Sequence, residues 1–543
     1  MKKAISIICC ILLMVSVFSG CGAKEKKIDL IYPFSGKINS YDPQVASESD
    51  EFLIIENCFE GLVRCDDEGN ITPGCAASWR MEDNGLKYTF NLQRGLKWHI
   101  FNSVKERMGE DYNPEITADD FVFALQRAAS RETESPLYST ISCIKNAPEI
   151  YNGNASADSL GVQAIDKYTL EIMLSSADDG FIQALSTAVA MPCNRDFFEK
   201  TNGRYGLDLM YTMFNGQFIV TNELDKSYIL KNNEDYNGPT PAKATDLTLK
   251  IVEENELLAD KLLSGYYDSA YLRGYESTSI SEKDKIKLVP YSNITWAMII
   301  NTSSGILANQ DARHAIALSL SDPDYEKYDF LAKAKGFIPP SCTANGKPFT
   351  EQSNDITLGY SGEQAVELWK EAAKDDKIYS SELTFIVPDT MEDVAKQVLQ
   401  GVQSSLGAIS NVNGKKISIS IKLEAIPENE LKSRTAAKDY DIALYPFKAS
   451  SASPVSFLQT FSDSNTTGFY DEDFIYSLEN AKGADSGSFV EECENCEKAL
   501  IDTYCYTPLF YESNFYASAK GVSGVQFHAG TGRVSFIYAD RED

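Results

Sequence analysis

The fold of this chain is decided by the stretch Asn57–Trp98, which reads NCFEGLVRCDDEGNITPGCAASWRMEDNGLKYTFNLQRGLKW. The stretch starts at the end of an apolar helix, turns at Gly61 and continues as a short strand at Leu62–Cys65. After an acidic turn and a Pro-Gly step it ends in Lys87–Leu92, where polar and apolar residues alternate as in a strand with one buried face. It therefore predicts a helix followed by short strands that are joined by tight turns.

The order of these turns and strands resembles family 5 of the extracellular solute-binding proteins, the oligopeptide- and dipeptide-binding group of ABC importers. The family pattern runs roughly FEGL, then D and G, then PG.A.SW and YTF.LR.G.KW, and this chain keeps nearly all of it. Further matches follow at Ile116–Leu125 and Gly161–Ile172, whereas His99–Glu115 is longer than the family pattern. The resemblance covers essentially the whole mature chain and is weakest where ligand chemistry would lie.

A chain of 543 residues is too long for one hydrophobic core and predicts two or three domains. Helices and strands alternate along it, which predicts an α/β structure. The resemblance implies a two-lobe, periplasmic-binding-protein-like fold of the large three-subdomain variety of type II, with a hinge and a ligand cleft between the lobes. We predict a discontinuous lobe I at 28–60, 185–285 and 510–543, a subdomain inserted in it at 61–184, and lobe II at 286–509.

The N-terminus has the pattern of a targeting segment. A positively charged start precedes the apolar run Ala4–Val17 and a small-residue cleavage site. Because Cys21 follows that site directly, the pattern resembles a bacterial lipobox, although Phe18 stands where leucine is usual. We predict a signal peptide at 1–20 and a tether at 21–27 that is lipidated at Cys21, which would anchor the protein stably in the membrane. The alternative is a secreted protein with a chance cysteine.

The composition is that of an ordinary globular protein, with 43% hydrophobic and 24% charged residues. The net charge of −29 argues against a nucleic-acid partner and against direct adhesion to an anionic membrane surface. A solubilising surface explains this charge, and a preference for cationic ligands is the alternative.

Catalytic motifs are missing from the sequence. The histidines His99, His314 and His528 stand in no metal-ligand spacing, and the chain has neither a G-x-S-x-G elbow nor a Walker loop. The nine cysteines that follow the lipidation site lack regular spacing, so we expect mostly buried free thiols. Cys493 and Cys496 form a single CxxC pair without a nearby histidine. We therefore predict a binding protein that is not an enzyme and that uses no metal and no cofactor.

The segment Tyr440–Leu458, YDIALYPFKASSASPVSFL, aligns without gaps on a family segment of the form fD…W.aDY..P.sFL. In oligopeptide-binding members the aspartate of the aDY triplet anchors the α-ammonium group of the peptide, and Ser450 stands at that position here. Ser451 replaces the tyrosine, and Phe447 replaces the tryptophan but keeps an apolar face for stacking. A desolvated ammonium group needs a carboxylate partner, and a hydroxyl group cannot replace that charge.

Three explanations for the serine stay open. The ligand has no free α-amine at this place, or another acid such as Glu48 or Glu56 supplies the charge, or the loop is shifted and Ser450 lines no ligand.

The resemblance also assigns further ligand contacts. Ser47, Glu48 and Ser49 would reach the ligand through main-chain groups; the alternative is that they only begin a helix. Arg434 lies near the position where relatives place a cation for the peptide carboxylate, and the alternative for it is a solvated helix arginine. The predicted ligand site is completed by Trp296, Tyr445, Phe447 and Ser450.

Together these observations predict a lipid-anchored protein on the extracytoplasmic face of a bacterial cell membrane that captures oligopeptides or peptide-like solutes and delivers them to an ABC permease. Closure around the ligand would favour docking on the permease. Two alternatives remain: the same fold as a peptide-signal sensor or surface chaperone without import, or as the binder of a non-peptide solute. We expect a monomer.

Overall fold

The computed structural model describes residues 27–542 except 37, 67–69, 179, 254–255, 304, 410, 450–451, 463–466, 468–469 and 529–532. The predicted signal peptide, the predicted lipidation site Cys21 and the predicted ligand contact Ser450 lie outside the described residues. Within the described ranges, each helix is too short or too polar to span a bilayer.

The strands, in chain order, are β1 Asp29–Phe34, β2 Val63–Cys65, β3 Ile71–Pro73, β4 Ala76–Glu82, β5 Lys87–Leu92, β6 Val162–Asp166, β7 Thr169–Met173, β8 Phe218–Leu224, β9 Ser227–Asn232, β10 Asp246–Ile251, β11 Ser269–Leu272, β12 Lys287–Ile300, β13 Leu331–Lys333, β14 Thr343–Ala344, β15 Lys347–Pro348, β16 Ser380–Pro388, β17 Asn411–Val412, β18 Lys415–Lys416, β19 Ser418–Ile426, β20 Ile442–Lys448, β21 Tyr506–Ser518, β22 Val522–Ser523, β23 Gln526–His528, β24 Arg533–Ser535 and β25 Asp540–Arg541.

The α-helices, in chain order, are α1 Ser49–Cys58, α2 Asn102–Met108, α3 Ala118–Ala129, α4 Ala147–Tyr151, α5 Phe181–Ala184, α6 Arg195–Lys200, α7 Leu258–Leu263, α8 Gly274–Ser277, α9 Gln310–Ser319, α10 Phe349–Gln352, α11 Gly362–Asp375, α12 Glu392–Val398, α13 Gln400–Gly407, α14 Glu428–Ala436, α15 Pro454–Ser462, α16 Glu472–Gly483 and α17 Phe489–Asp502.

Three sheets contain most of these strands. One four-stranded sheet has the order β1-β10-β9-β8, with β1 parallel to β10, and an antiparallel one has the order β4-β5-β7-β6. The largest sheet has seven strands in the order β11-β21-β12-β20-β16-β19, and β13 also pairs with β21. Within it β16 is parallel to β19 and β20, and helices connect these strands, as expected for an α/β arrangement.

The hydrophobic core of the described residues is divided into clusters. The first cluster joins buried residues between Ile28 and Leu249 to Tyr291, Tyr516 and the C-terminal segment as far as Ala539. The second and third clusters cover the two faces of the largest sheet. Alternate residues of β12 enter these two clusters, because successive side chains of a strand point to opposite faces.

Local sequence explains several element boundaries. Thr117 precedes α3 and forms the predicted capping box with Asp120, whose carboxylate accepts a hydrogen bond from Thr117 N at 2.7 Å. The strand predicted at Lys87–Leu92 is confirmed with the same bounds.

Candidate ligand-binding site

A row of side chains crosses three strands at the end of β20. Lys448 is the last residue of β20 and is paired with Ile294 of β12, which is paired in turn with Glu512 of β21. Directly paired residues of neighbouring strands project to the same side of a sheet, so these three side chains lie side by side. Trp296 follows Ile294 by two residues and shares this face, which is the face of the second cluster.

Glu512 is the centre of a hydrogen-bonded group in this row. Its side chain is 1% exposed and accepts hydrogen bonds from Arg273 Nε at 2.9 Å and from Trp296 Nε1 at 2.6 Å. Arg273 makes a second contact with Glu512 through Nη2 at 3.3 Å and donates through Nη1 to Glu428 at 3.2 Å. Paired contacts between a guanidinium and a carboxylate fix both groups in orientation. The predicted contact Trp296 is fully buried, and its indole N–H is already used by Glu512.

Lys448 stands beside this group without joining it. No carboxylate of the described residues lies within ion-pair distance of its ammonium group. The ion pairs of the row are those of Arg273 with Glu512 and Glu428. The Lys448 side chain is exposed, yet desolvation by the surrounding protein, followed by repulsion from Arg273, lowers the pKa of its ammonium group. Water therefore reaches the Lys448 side chain, although neighbouring protein and the charge of Arg273 disfavour its charged form.

An irregularity in the strand pairing lies next to Lys448. The register between β12 and β21 shifts within Tyr291–Ile294, as it does at a β-bulge. Asn293 in this irregular part is hydrogen-bonded twice to Ala449: Ala449 N donates to Asn293 O at 2.8 Å, and Asn293 Nδ2 donates to Ala449 O at 3.1 Å. The bulge is thus tied to the segment in which the resemblance implies ligand contacts.

Glu51 organises the loop before α1. Its carboxylate, 2% exposed, accepts hydrogen bonds at 2.7 to 3.1 Å from four main-chain N–H groups, those of Asn39, Ser40, Ser47 and Glu48. Ser47, Glu48 and Ser49 are all exposed. Two of these predicted ligand contacts, Ser47 and Glu48, therefore have main-chain N–H groups that are already bonded within the protein.

Tyr445 and Phe447 project from the opposite face of β20 into the third cluster. The ring of Phe447 is 7% exposed, lies 4.6 Å from the ring of Phe461 and lies 5.1 Å from the ring of Tyr445, measured between centroids. Burial raises the pKa of Tyr445. Stacking of Phe447 on a ligand would require this aromatic packing to open.

Arg434 lies on α14 among acidic side chains. Its guanidinium is 3.0 Å from Glu424, 3.3 Å from Asp439 and 4.0 Å from Glu430. A ligand carboxylate at Arg434 would therefore compete with acids of the protein itself.

The two acids considered as replacements for the missing aspartate differ in their surroundings. Glu56 is 11% exposed and lies 3.7 Å from Arg64 and 3.9 Å from Arg533, so its charge is partly matched. The exposed Glu48 forms a capping box with Glu51 at the start of α1.

Three of the predicted contacts lie at neighbouring positions of β12 and β20, although on two faces of the sheet: Trp296, Tyr445 and Phe447. The remaining described contacts belong to other elements, Ser47–Ser49 to the start of α1 and Arg434 to α14. Sequence reasoning missed the charged residues of the row, namely Arg273, Lys448 and Glu512. One signal for Lys448 was visible, because it is the only basic residue of Tyr440–Leu458.

Other sites of chemistry are sparse in the part of the chain that the structure describes. It contains no group of three or more His, Cys, Asp and Glu side chains that is arranged to hold a metal ion. Seven of the nine described cysteines are buried, and burial raises the pKa of Cys193 to about 12. Two small surface pockets, one beside Phe461 and Tyr506 and one beside Glu60 and Tyr236, are lined by none of the predicted contacts.

Comparison with known proteins gives a consistent result. The sequence profile of the bacterial extracellular solute-binding proteins, family 5 Middle, matches residues 70–469. The dipeptide-binding protein DppE of Bacillus subtilis is 22% identical over an alignment of 515 positions, which covers 92% of this chain and 90% of that protein. The oligopeptide-binding protein OppA of the same organism is 24% identical over an alignment of 569 positions, which covers 99% of each chain.

Solved structures agree in fold. The substrate-binding domain of an oligopeptide ABC transporter from Bacillus anthracis has a TM-score of 0.74 at 24% identity and covers 95% of this chain and 100% of its own. Listeria monocytogenes OppA, solved with bound peptide, has a TM-score of 0.74 at 21% identity, and the match covers 95% of this chain and 99% of that one. These matches confirm the predicted two-lobe α/β fold class. The chain belongs to family 5 of the bacterial extracellular solute-binding proteins.

Proposed function

We propose that this chain is the solute-binding component of an ABC importer and that it captures oligopeptides or peptide-like solutes outside the cytoplasmic membrane. The full-length similarity to a relative that is named an oligopeptide-binding protein supports this ligand class. The protein acts as a receptor and not as an enzyme, since it binds the solute and releases it unchanged.

The course of two long strands supports a mechanism in which the protein closes around its ligand. β12 and β21 run from Tyr291 and Tyr516 in the first cluster to Trp296 and Phe510 in the second, and their register shifts between these points. A bend at the shift moves one cluster relative to the other. A ligand that contacts both sides stabilises only the closed arrangement and shifts the population toward it, and this is the form that a permease recognises.

Main-chain hydrogen bonds and charged side chains would hold the ligand. Extended peptides bind through main-chain hydrogen bonds, which are independent of sequence and allow a broad specificity. Ser450 supplies no charge for an α-ammonium group. The charges of the ligand are therefore matched elsewhere or are absent from that end.

The experiment is native mass spectrometry of protein that has been purified without denaturation, followed by release and sequencing of the bound solute. Heterogeneous peptides with free amino ends support the proposed function. A single non-peptide species contradicts the peptide ligand class, and a blocked or cyclic peptide assigns the aspartate-to-serine change to specificity.

We also propose that the mature protein is held on the extracytoplasmic face of the membrane by acylation of Cys21. Cys21→Ala is expected to abolish incorporation of labelled palmitate and to release the protein into the medium. Cys10→Ala changes a cysteine of the apolar run instead and serves as the control, with labelling unchanged. Equal labelling of both variants would overturn the assignment of Cys21.

Import, as opposed to sensing, is tested by uptake. Cells that lack this protein are expected to lose accumulation of a labelled peptide identified in the purified protein, and the restored wild-type protein to recover it. Unchanged accumulation would favour a sensor or chaperone.

Light scattering after gel filtration is expected to give the mass of a monomer.

A further inference from the structure

Lys448 lies beside a group of charged side chains, but within the described residues no carboxylate is paired with it. It ends β20 directly before the segment that aligns with the ligand-contacting triplet of the family, and it lies in one row with Ile294 and Glu512. The bonds between Asn293 and Ala449 fix the main chain immediately after it. The main chain from which the Lys448 side chain projects is therefore set by two neighbouring strands and not by a flexible surface loop.

The acids near Lys448 are engaged by another cation. Glu512 is buried and holds Arg273 and the indole of Trp296, and Glu428 is bonded to the same arginine. The two acids and Arg273 leave a local excess of one negative charge, but their bonds are directed at the guanidinium and not at Lys448. Within the described residues the ammonium group thus has no carboxylate partner.

An ammonium group that water reaches and that no carboxylate of the protein holds is available to pair with an anion of a ligand. We propose that Lys448 is a specificity-determining residue that forms an ion pair with a carboxylate of the bound solute, so that the preferred ligands carry an acidic group at the place that faces β20. The inference rests on the proposed function and narrows it to anionic peptides or peptide-like acids. It also explains why a cation stands two residues before the position at which the family carries an acid.

The carboxylate has two possible sources in a peptide, the C-terminus and an acidic side chain. Both sources present a carboxylate, and the test distinguishes them by changing one at a time. Ligands released from wild-type protein are sequenced first, and the tightest peptide is then synthesised with a free or amidated C-terminus, and with glutamate or glutamine at each acidic position. Loss of affinity in only one of these series identifies the source.

The decisive measurement is isothermal titration calorimetry of this peptide set with Lys448→Met, Lys448→Arg and wild type. Lys448→Met is expected to weaken binding of the anionic peptide at least tenfold and to change binding of its neutral counterpart less than twofold. Lys448→Arg retains most of the affinity. Lys374→Met, at an exposed lysine of α11 that pairs with Glu371, is the matched control with no effect. Equal effects of Lys448→Met on charged and neutral peptides, or no effect on either, would overturn the proposal.

Charge reversal gives a readout that is independent of the chosen peptides. The solutes that remain bound through purification are compared between wild type and Lys448→Glu, and circular dichroism verifies that both are folded. Acidic solutes in the wild type that are replaced by neutral or basic ones in the variant support the proposal. Wild-type ligands that lack an acidic group overturn it, whether or not they are peptides. Non-peptide acids would instead contradict the proposed function while supporting the role of Lys448.

Discussion

Glu51 illustrates how much one buried carboxylate contributes to a loop. It accepts four main-chain hydrogen bonds, and Glu51→Gln would leave one oxygen and one amide group facing those donors. Hydrogen bonds to a charged group contribute about 1.5–3 kcal/mol each, so we expect a loss of about 2–4 kcal/mol in the free energy of unfolding. Urea unfolding monitored by circular dichroism measures it.

The matched control for Glu51→Gln is Glu430→Gln on the exposed face of α14. Only its 4.0 Å contact with Arg434 is weakened, so stability should change by less than about 0.5 kcal/mol. Equal stability of the two variants would show that the Glu51 bonds contribute nothing measurable.

Glu497 predicts a pH dependence of stability. Burial raises its pKa from 4.5 to about 7, although the main-chain N–H groups of Ile338 and Phe337 favour its ionised form. Because the folded-state pKa exceeds the unfolded one, the stabilisation is full below about pH 4.5 and is lost as the pH rises through 7. Between pH 5 and 8 the free energy of unfolding of the wild type should fall by about 2–3 kcal/mol relative to that of Glu497→Gln. Thermal unfolding at each pH measures this difference.

Asp120 contributes with the same sign, since burial raises its pKa to about 6. Its contribution is common to both proteins and cancels in the difference between wild type and Glu497→Gln. Glu491→Gln, exposed on the same helix α17, provides the control and should follow the wild-type curve. A difference between wild type and Glu497→Gln that is independent of pH would contradict the role of Glu497.

The junction between β11 and α8 depends on a glycine. A Cβ atom at Gly274 would lie 2.5 Å from Phe330 Cβ and 2.6 Å from Ser513 O, so Gly274→Ala must displace one of these neighbours. We expect a loss of about 1–3 kcal/mol in stability, as for other overpacked sites, together with weaker ligand binding because Arg273 is adjacent. Thermal unfolding and calorimetry measure the two effects.

Gly407→Ala at the end of α13 tests whether this loss is specific. No atom lies within 4 Å of a Cβ at that position, so the alanine should be neutral or should stabilise the helix by up to about 1 kcal/mol. Comparable losses in both variants would mean that the crowding at Gly274 is not the cause.

Elements that are defined by local chemistry could be predicted from the sequence. The capping box of Thr117 and Asp120 and the alternation in β5 are both local, and the structure has them as expected. β4 at Ala76–Glu82 was not predicted, because it pairs only with β5 at a sheet edge and exposes most of its side chains, so no alternation marks it. The first half of β12 is largely part-exposed and contains Pro290, and this hid the length of the strand.

The candidate site was predictable only in part. The aligned segment points to β20, and it could do so because its residues are consecutive in the chain. The contact between Arg273 and Glu512 joins residues 239 positions apart, and only the pairing of β11 and β12 with β21 brings them together. No periodicity in the sequence contains that information. The partner of Trp296, Glu512, was hidden for the same reason, since it lies 216 positions away.

Ligand binding is expected to close the protein as a unit. Strands β12 and β21 connect the first and second clusters through an irregular register, so ligand removal should open the protein and ligand addition should close it. Protein freed of solute in guanidinium and refolded is expected to have a larger radius of gyration by small-angle X-ray scattering than the protein saturated with its released peptide. Saturation at 100 times the Kd should also stabilise the folded state by about 2.7 kcal/mol.

Free amino acids at the same concentration are the control and should change neither the scattering nor the thermal midpoint. The two readouts separate binding from closure, because stabilisation requires only that the peptide bind the folded state. A peptide that raises the midpoint without reducing the radius of gyration would show binding to a rigid receptor. The register shift within Tyr291–Ile294 would then be a static bend of the sheet, and the permease would have to recognise the ligand itself or a local change at the end of β20.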